Sequence, residues 1–163
     1  MAKIHELLSH SSRSAERIPE IPLYMDQVLS YLDASLENLK RSENEPCITK
    51  TMINNYVKAG LLQAPVKKKY TRSHMMALTM LYRLKSVLQV KDIEAVLGEQ
   101  KEEGLEMLYE EFLMIEKEIG RNLSEKYENF DFEDEDSIHK AILQLAVEAD
   151  MNKRLMEHLI DKL

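Results

Sequence analysis

Apolar residues recur at spacings of three and four along most of this chain, and this period limits its fold more than any other feature. Between Leu23 and about Lys40 the period is carried by Met25, Val28, Leu29, Leu32, Leu36 and Leu39. Such spacing places apolar side chains on one face of an α-helix. Four glycines and four prolines in 163 residues leave few positions that break a helix. The sequence therefore predicts a mainly α-helical protein.

A short helix with defined ends is predicted between Thr49 and Gly60. Thr49 is a suitable N-cap, and Gly60 can adopt the left-handed conformation that ends a helix. The apolar face between them comprises Met52, Ile53, Tyr56 and Val57. The next segment, residues 63–70, is too short and too charged for a core element, so we interpret it as a hairpin-like wing.

Two further helices are predicted after this segment. Thr71 or Ser73 can cap the first, whose apolar residues are Met75, Leu78, Leu81, Leu84 and Leu88. A break near Gln89 precedes a short helix with Ile93, Val96 and Leu97, and Gly98 closes the unit. Residues 99–163 are predicted to be helical as well. An acidic loop is expected at residues 125–136, and one or two helices follow it.

Charge is distributed unevenly between the two parts of the chain. Residues 1–98 hold 14 Lys and Arg against 10 Asp and Glu, or +4, and residues 99–163 hold 8 against 19, or −11, which gives the net charge of −7. No acidic residue occurs between Cys47 and Lys91. A local basic field of this kind is typical of a nucleic-acid-binding surface, even in a protein that is acidic overall.

A capped short helix, a basic wing and two more helices are the parts of a winged helix-turn-helix, and the residues resemble one family of that kind. The stretch from Thr49 to Leu62 resembles the recognition-helix signature of the MerR family, in which a capped helix ends in a tyrosine followed by Gly-Leu-Leu. Tyr70-Thr-Arg-Ser-His resembles the MerR wing tyrosine and the start of the helix after it. Residues 21–28 and 50–58 are more similar still to an uncharacterised bacterial family of unknown function related to MerR. The resemblance covers roughly residues 18–98 and implies a dimeric DNA-binding protein.

The candidate DNA-contacting residues lie on the short helix and around the wing. They are Lys50, Thr51, Asn54, Asn55, Lys58, Lys67, Lys68, Lys69, Tyr70, Arg72 and His74. Asparagine can read adenine with two hydrogen bonds in the major groove, and wing lysines would contact phosphates. A solvated helix face for the asparagines, a solvated turn for the lysines and an ordinary helix-start role for His74 remain alternatives.

The chain divides into three predicted units. Residues 1–22 form a loose N-terminal arm, 23–98 the MerR-like winged helix-turn-helix, and 99–163 an acidic helical region for dimerisation or regulation. A seam of apolar residues at alternating spacings of three and four, suited to a partner helix, comprises Leu105, Leu108, Phe112, Ile115 and Ile119. We expect this seam to form a homodimer, or alternatively to pack on the helices of residues 138–163 within one chain.

Several function classes are not supported by the sequence. We find no convergent catalytic set, no glycine-rich phosphate loop and no metal-ligand spacing, so we expect neither an enzyme nor a cofactor or metal. One cysteine, Cys47, excludes an internal disulfide, and no run of 18 apolar residues occurs, so we expect a cytoplasmic protein without a membrane span. A non-enzymatic protein-interaction module on the same scaffold is the alternative function. We interpret methionines such as Met75 and Met107 as core residues, with an apolar ligand site as the alternative. The sequence does not identify an effector molecule.

Overall fold

The computed structural model describes Leu8, Ser12 and residues 14–42, 46–98 and 102–163, and this part of the chain is mainly α-helical with a small two-stranded sheet. Its helices are α1 (Met25–Ser35), α2 (Lys50–Lys58), α3 (Arg72–Leu84), α4 (Val90–Leu97), α5 (Glu102–Lys126) and α6 (Glu135–Ile160). The strands β1 (Leu23–Tyr24) and β2 (Lys69–Tyr70) are antiparallel, with Leu23 opposite Tyr70 and Tyr24 opposite Lys69. The prediction of a mainly helical chain is confirmed.

Helix α3 lies at the centre of the core. All of its residues from His74 to Leu81 are buried, so it has no solvent-facing side over two turns. A helix that is buried all round must be covered by other elements. In this protein α1, β2 and α5 pack against α3.

The predicted helix ends are confirmed at several positions. The Thr49 hydroxyl accepts a hydrogen bond from the backbone N–H of Met52 at 3.2 Å, which caps α2. Gly60 ends the same helix with φ of 77°, in the left-handed region that glycine adopts without a steric cost. Thr71 caps α3, and Gln89 marks the break before α4.

The region between α1 and α2 differs from the predicted helix. Helix α1 ends at Ser35, a 3-10 turn follows at Glu37–Leu39, and the chain then continues to the cap at Thr49. A helix-turn-helix joins its two helices by a turn of about three or four residues. The connection here is longer, because Leu36 and Cys47 are buried and extend the core between the two helices.

Helix α5 packs on the basic part of the chain rather than forming a separate unit. Tyr109 is 1% exposed in the same core as α3, and its hydroxyl is hydrogen-bonded to Thr79. Burial raises the pKa of Tyr109, since the charged phenolate would be poorly solvated there. The predicted seam is therefore divided: Leu105, Leu108 and Phe112 are partly buried against the core. Ile115 and Ile119 remain about half exposed.

The N-terminal arm differs from the loose segment that was expected, in its described part. Ala15 and Ile18 are buried in the core around a 3-10 turn at Ala15–Arg17. The backbone N–H of Ser12 donates to Glu116 on α5 at 2.7 Å, and the Arg83 guanidinium on α3 lies 2.9 Å from the same carboxylate. Glu116 therefore links the N-terminal segment, α3 and α5.

Helix α6 is a single long helix, and none of its described residues is buried. The Asp134 carboxylate caps it by accepting from the backbone N–H of Ser137 at 3.2 Å. Helix α4 is the element that it contacts most, Lys126 of α5 pairs with Glu148 at 2.7 Å, and Met156 and Ile160 pack against the core near its end. No helix in the described ranges has the length and apolarity needed to cross a membrane.

We expect Glu116→Gln to lower the free energy of unfolding by about 2–3 kcal/mol, because hydrogen bonds to a charged group are worth about 1.5–3 kcal/mol and the Glu116 side chain is only 9% exposed. Urea unfolding measures the change. Glu125→Gln is the matched control on the same helix, since its contact with Arg121 spans 3.9 Å between exposed side chains and should contribute less than about 0.5 kcal/mol. Equal effects of the two substitutions would show that Glu116 does not link the three segments.

Candidate nucleic-acid interface

The outer face of α2 carries the polar residues predicted to read DNA. Ile53 and Tyr56 are buried and fix the orientation of the helix on the core. Because successive residues of an α-helix are rotated by about 100°, the opposite side must face solvent. The exposed residues there are Lys50, Thr51, Asn54, Asn55 and Lys58. Burial also raises the pKa of Tyr56.

The predicted wing forms a tight two-residue turn with lysines at its tip. The backbone N–H of Lys69 donates to the carbonyl of Val66 at 3.0 Å, and the two residues form an antiparallel bridge. Lys67 and Lys68 between them have φ of 50° and 64°. Positive φ at both central residues is the type I′ hairpin turn, which strongly favours Asn-Gly.

The lysine pair is an unfavourable choice for this turn. A left-handed conformation costs an ordinary L-residue roughly 1–2 kcal/mol, because its Cβ approaches the following carbonyl oxygen. Both side chains are exposed, so no burial of their own offsets that cost. Backbone strain of this kind is retained most often at functional sites.

The hairpin is fastened to the start of α3 by His74. Its Nδ1 accepts a hydrogen bond from the backbone N–H of Thr71 at 3.0 Å, and its Nε2 lies 3.1 Å from the carbonyl of Gln63. These bonds assign the proton to Nε2 and join the residues on either side of the hairpin. Tyr70 packs edge-on against the His74 ring at 5.3 Å.

Three of the predicted DNA-contacting residues are not freely exposed on the surface. Tyr70 and His74 are buried, so the structure places them beneath the hairpin and not on its surface. The Arg72 guanidinium lies 3.0 Å from Glu106 on α5, and its side chain is 28% exposed. Arg72 is therefore engaged by the acidic part of the chain.

The acidic part leaves the other predicted residues uncovered. Lys50, Asn54, Lys58, Lys67 and Lys68 are all exposed, and Lys69 is half-buried. The structure thus presents an acid-free helix face and a lysine hairpin as open surface.

Tyr24 is a residue of this surface that the sequence analysis missed. It is 54% exposed on β1, and the Lys69 ammonium lies 5.1 Å from the centre of its ring. A cation over an aromatic face is attracted by the ring electrons, so Tyr24 holds Lys69 in place. The sequence signal for an exposed Tyr24 is the alternation of side chains along a strand, in which Leu23 faces the core and Tyr24 faces solvent.

The described part of the chain gives little support for metal binding or for a reactive thiol. No group of three or more His, Cys, Asp or Glu side chains there is arranged to hold a metal ion. Cys47 is buried, and burial raises the pKa of its thiol, which opposes the reactive thiolate form.

A family model for a domain of unknown function, DUF1836, matches residues 13–112. The chain belongs to this family. The match extends from the N-terminal 3-10 turn through the first part of α5, so it includes α1, β2 and the part of α5 that carries Tyr109. No curated protein and no solved structure matches the chain significantly.

Proposed function

We propose that this DUF1836 protein is a sequence-specific DNA-binding regulator of transcription, with a MerR-like winged helix as its head and a homodimer as its working form. The observation that carries the proposal is the exposure of two elements without acidic residues, the outer face of α2 and the Lys67-Lys68 hairpin tip. In this proposal the protein has no catalytic role and acts on DNA in the cytoplasm.

The two parts of the surface are assigned different tasks. Exposed asparagines on a short helix can form paired hydrogen bonds with adenine in the major groove. Lysines contact phosphates, which adds affinity and salt dependence but little sequence information. The tip lysines fit the second task, because a tight hairpin projects both ammonium groups away from the core.

The dimer is assigned to α6 in place of the predicted α5 seam, since part of that seam packs on the core. Large apolar residues lie at every fourth position of α6 and are 56–68% exposed: Leu143, Val147, Met151, Leu155 and Leu159. A ridge of residues four apart packs into the grooves of a second helix at about −50°.

This ridge is suited to a second copy of itself. Val147 and Leu155 lie at equal distances on either side of Met151 and are turned from it by about 40° around the helix, so these three residues form the centre of the ridge; Leu143 and Leu159 lie at its two ends, turned by about 80°. A two-fold axis near Met151 would therefore bring like surfaces together, as in most homodimers. Dimerisation would present two heads to two half-sites on DNA.

Replacing the tip with Asn-Gly, as Lys67→Asn with Lys68→Gly, should change stability and DNA affinity in opposite directions. The free energy of unfolding should rise by about 1–2 kcal/mol, because these residues adopt positive φ more readily. Affinity for duplex DNA should fall on all sequences, and the slope of log affinity against log salt should flatten by about 0.9 for each lost phosphate contact.

Lys117→Asn with Lys140→Asn is the control, since both lysines are exposed in the acidic part of the chain. It should leave the salt slope unchanged. A tip variant with the wild-type slope would remove the hairpin from the interface, and salt-insensitive binding to a protein partner would favour the interaction module instead.

Asn54→Ala should reduce discrimination between cognate and scrambled duplexes by about 1–3 kcal/mol while leaving non-specific affinity nearly unchanged. Selection from randomised duplexes supplies the cognate sequence, and fluorescence anisotropy measures the ratio. Asn152→Ala, an exposed asparagine of α6, is the control. Full discrimination by both Asn54→Ala and Asn55→Ala would contradict base reading by α2.

Met151→Glu should dissociate the dimer and keep the helical content, with the dissociation constant raised at least a hundredfold. Burial of one large apolar side chain contributes roughly 1.5–3 kcal/mol, and each copy loses one. Light scattering and circular dichroism measure both properties. Met107→Glu, on an exposed methionine of α5 outside the ridge, should leave the dimer intact. A wild-type monomer at high concentration would exclude the proposed interface.

A further inference from the structure

An apolar cavity of about 300 Å³ lies at the turn between α5 and α6. Leu123 and Tyr127 line it at the end of α5, and Ala141 and Leu145 line it from the start of α6. Leu8, the first residue that the structure describes, lines it from the N-terminal segment. The described part of that segment therefore begins at the cavity wall.

The N-terminal segment runs along α5 in the opposite direction. The backbone N–H of Ser12, which is buried, donates to the Glu116 carboxylate at 2.7 Å. Four residues earlier in the segment, the backbone oxygen of Leu8 would lie 2.5 Å from a Cβ atom added at Gly120, four residues later in α5. The two stretches thus advance by the same number of residues between their contacts. Equal advance is expected of two antiparallel helices, and Leu8 is helical.

Small residues on α5 permit this close approach and extend it toward the cavity. Any side chain at Gly120 would displace Leu8, because real contacts of a Cβ atom do not reach 2.5 Å. Ser124, one turn further along α5, is also small and is half-buried. The distance between two packed helices is set by the side chains at their contact, so α5 can be followed closely as far as Ser124.

The residues before Leu8 have the spacing of an amphipathic helix. Residues 1–7 lie outside the described part of the chain, and their sequence contains Ile4 and Leu7. With Leu8, these residues follow the three-and-four spacing that places apolar side chains on one helix face. Glu6 falls on the opposite face, about 200° from Ile4. The sequence therefore predicts that the helix continues back from Leu8 with one apolar face.

The register on α5 brings that face to the cavity. One turn of the segment advances by about four residues, and α5 advances by about four in the opposite direction. One turn before Leu8, Ile4 therefore comes level with Ser124. That residue lies between Leu123 and Tyr127, which line the cavity.

We propose that residues 1–7 continue the helix of Leu8 and insert the Ile4 side chain into this cavity, so that the segment docks between the end of α5 and the start of α6. The cavity volume is about twice the ~150 Å³ that holds one benzene molecule, which leaves room for Ile4 and part of Leu7. No charged side chain is among the described residues that line the cavity, so apolar side chains suit it.

Docking of this segment would fasten the start of α6 to α5. Among the described residues, Lys126 and Glu148 make an ion pair between these two helices at 2.7 Å. Leu145 of the cavity lies on the side of α6 away from Val147 and Met151 of the dimer ridge. The proposal therefore depends neither on DNA binding nor on the dimer.

A disulfide between Ile4→Cys and Ser124→Cys tests the register in the full chain. Facing residues of two close helices come within the Cα separation of about 4.4–6.8 Å that a disulfide needs. Oxidation should join the two cysteines within one chain, and peptide mapping by mass spectrometry identifies the pair and separates it from Cys47, which is buried. Glu6→Cys with Ser124→Cys is the control and should cross-link at least tenfold more slowly.

Equal cross-linking of the two pairs would overturn the proposed register. A cross-link that joins two chains would show that the segment docks on a second copy, and would overturn docking within one chain.

Ile4→Ala should lower the urea midpoint by about 0.5–1 M, because it removes apolar atoms from a filled cavity. It should also open space for benzene, with saturable binding by calorimetry at least tenfold tighter than that of the wild type. Glu6→Ala is the control and should change neither property. An unchanged urea midpoint in Ile4→Ala, or equally tight binding of benzene by the wild type, would show that Ile4 does not occupy the cavity.

Discussion

The burial of α3 on every side from His74 to Leu81 is the constraint on which the rest of the structure depends. A helix with apolar residues on every side needs cover on every side, and α1, β2 and α5 provide it. Both ends of α3 also carry a polar contact to another segment. His74 at its start fastens the hairpin, and Arg83 near its end pairs with Glu116 on α5. The proposed DNA surface and the long acidic helix are therefore attached to the same rigid element.

Two opposite requirements meet in the hairpin. Stability favours small or left-handed-tolerant residues at its tip, and an interface with phosphates favours positive charge. The chain has lysine at both positions, with φ of 50° and 64°. The acidic helices do not cover these lysines, which remain exposed; in the described part of the chain their carboxylates pair with the head at Arg72 and Arg83. An acidic protein can in this way keep a basic surface open.

Helix α6 has apolar side chains on two sides, and the single chain covers neither completely. Burying such residues in a partner or around a ligand gains the hydrophobic free energy that the isolated chain leaves unused. Val147 and Met151 of the ridge lie on one side of α6, and Ala141 and Leu145, which line an apolar cavity of about 300 Å³ at the turn between α5 and α6, lie on the opposite side. The 300 Å³ cavity and the ridge account for most of the exposed apolar residues of α6.

The sequence by itself determined the local structure: the helical class, the cap at Thr49, a cap at Thr71 or Ser73, the stop at Gly60 and a hairpin within residues 63–70. These features depend on residues that are close together in the sequence, so residue spacing and backbone preferences are enough to predict them. Only the tertiary structure decided which apolar residues face the core. The same three-and-four spacing describes Phe112, which packs on the head, and Ile119, which stays half exposed, because both spacings give an apolar helix face and neither specifies its partner. The Glu116 link, the Lys69–Tyr24 contact and the cavity likewise join residues far apart in the chain, and no local pattern encodes such distances.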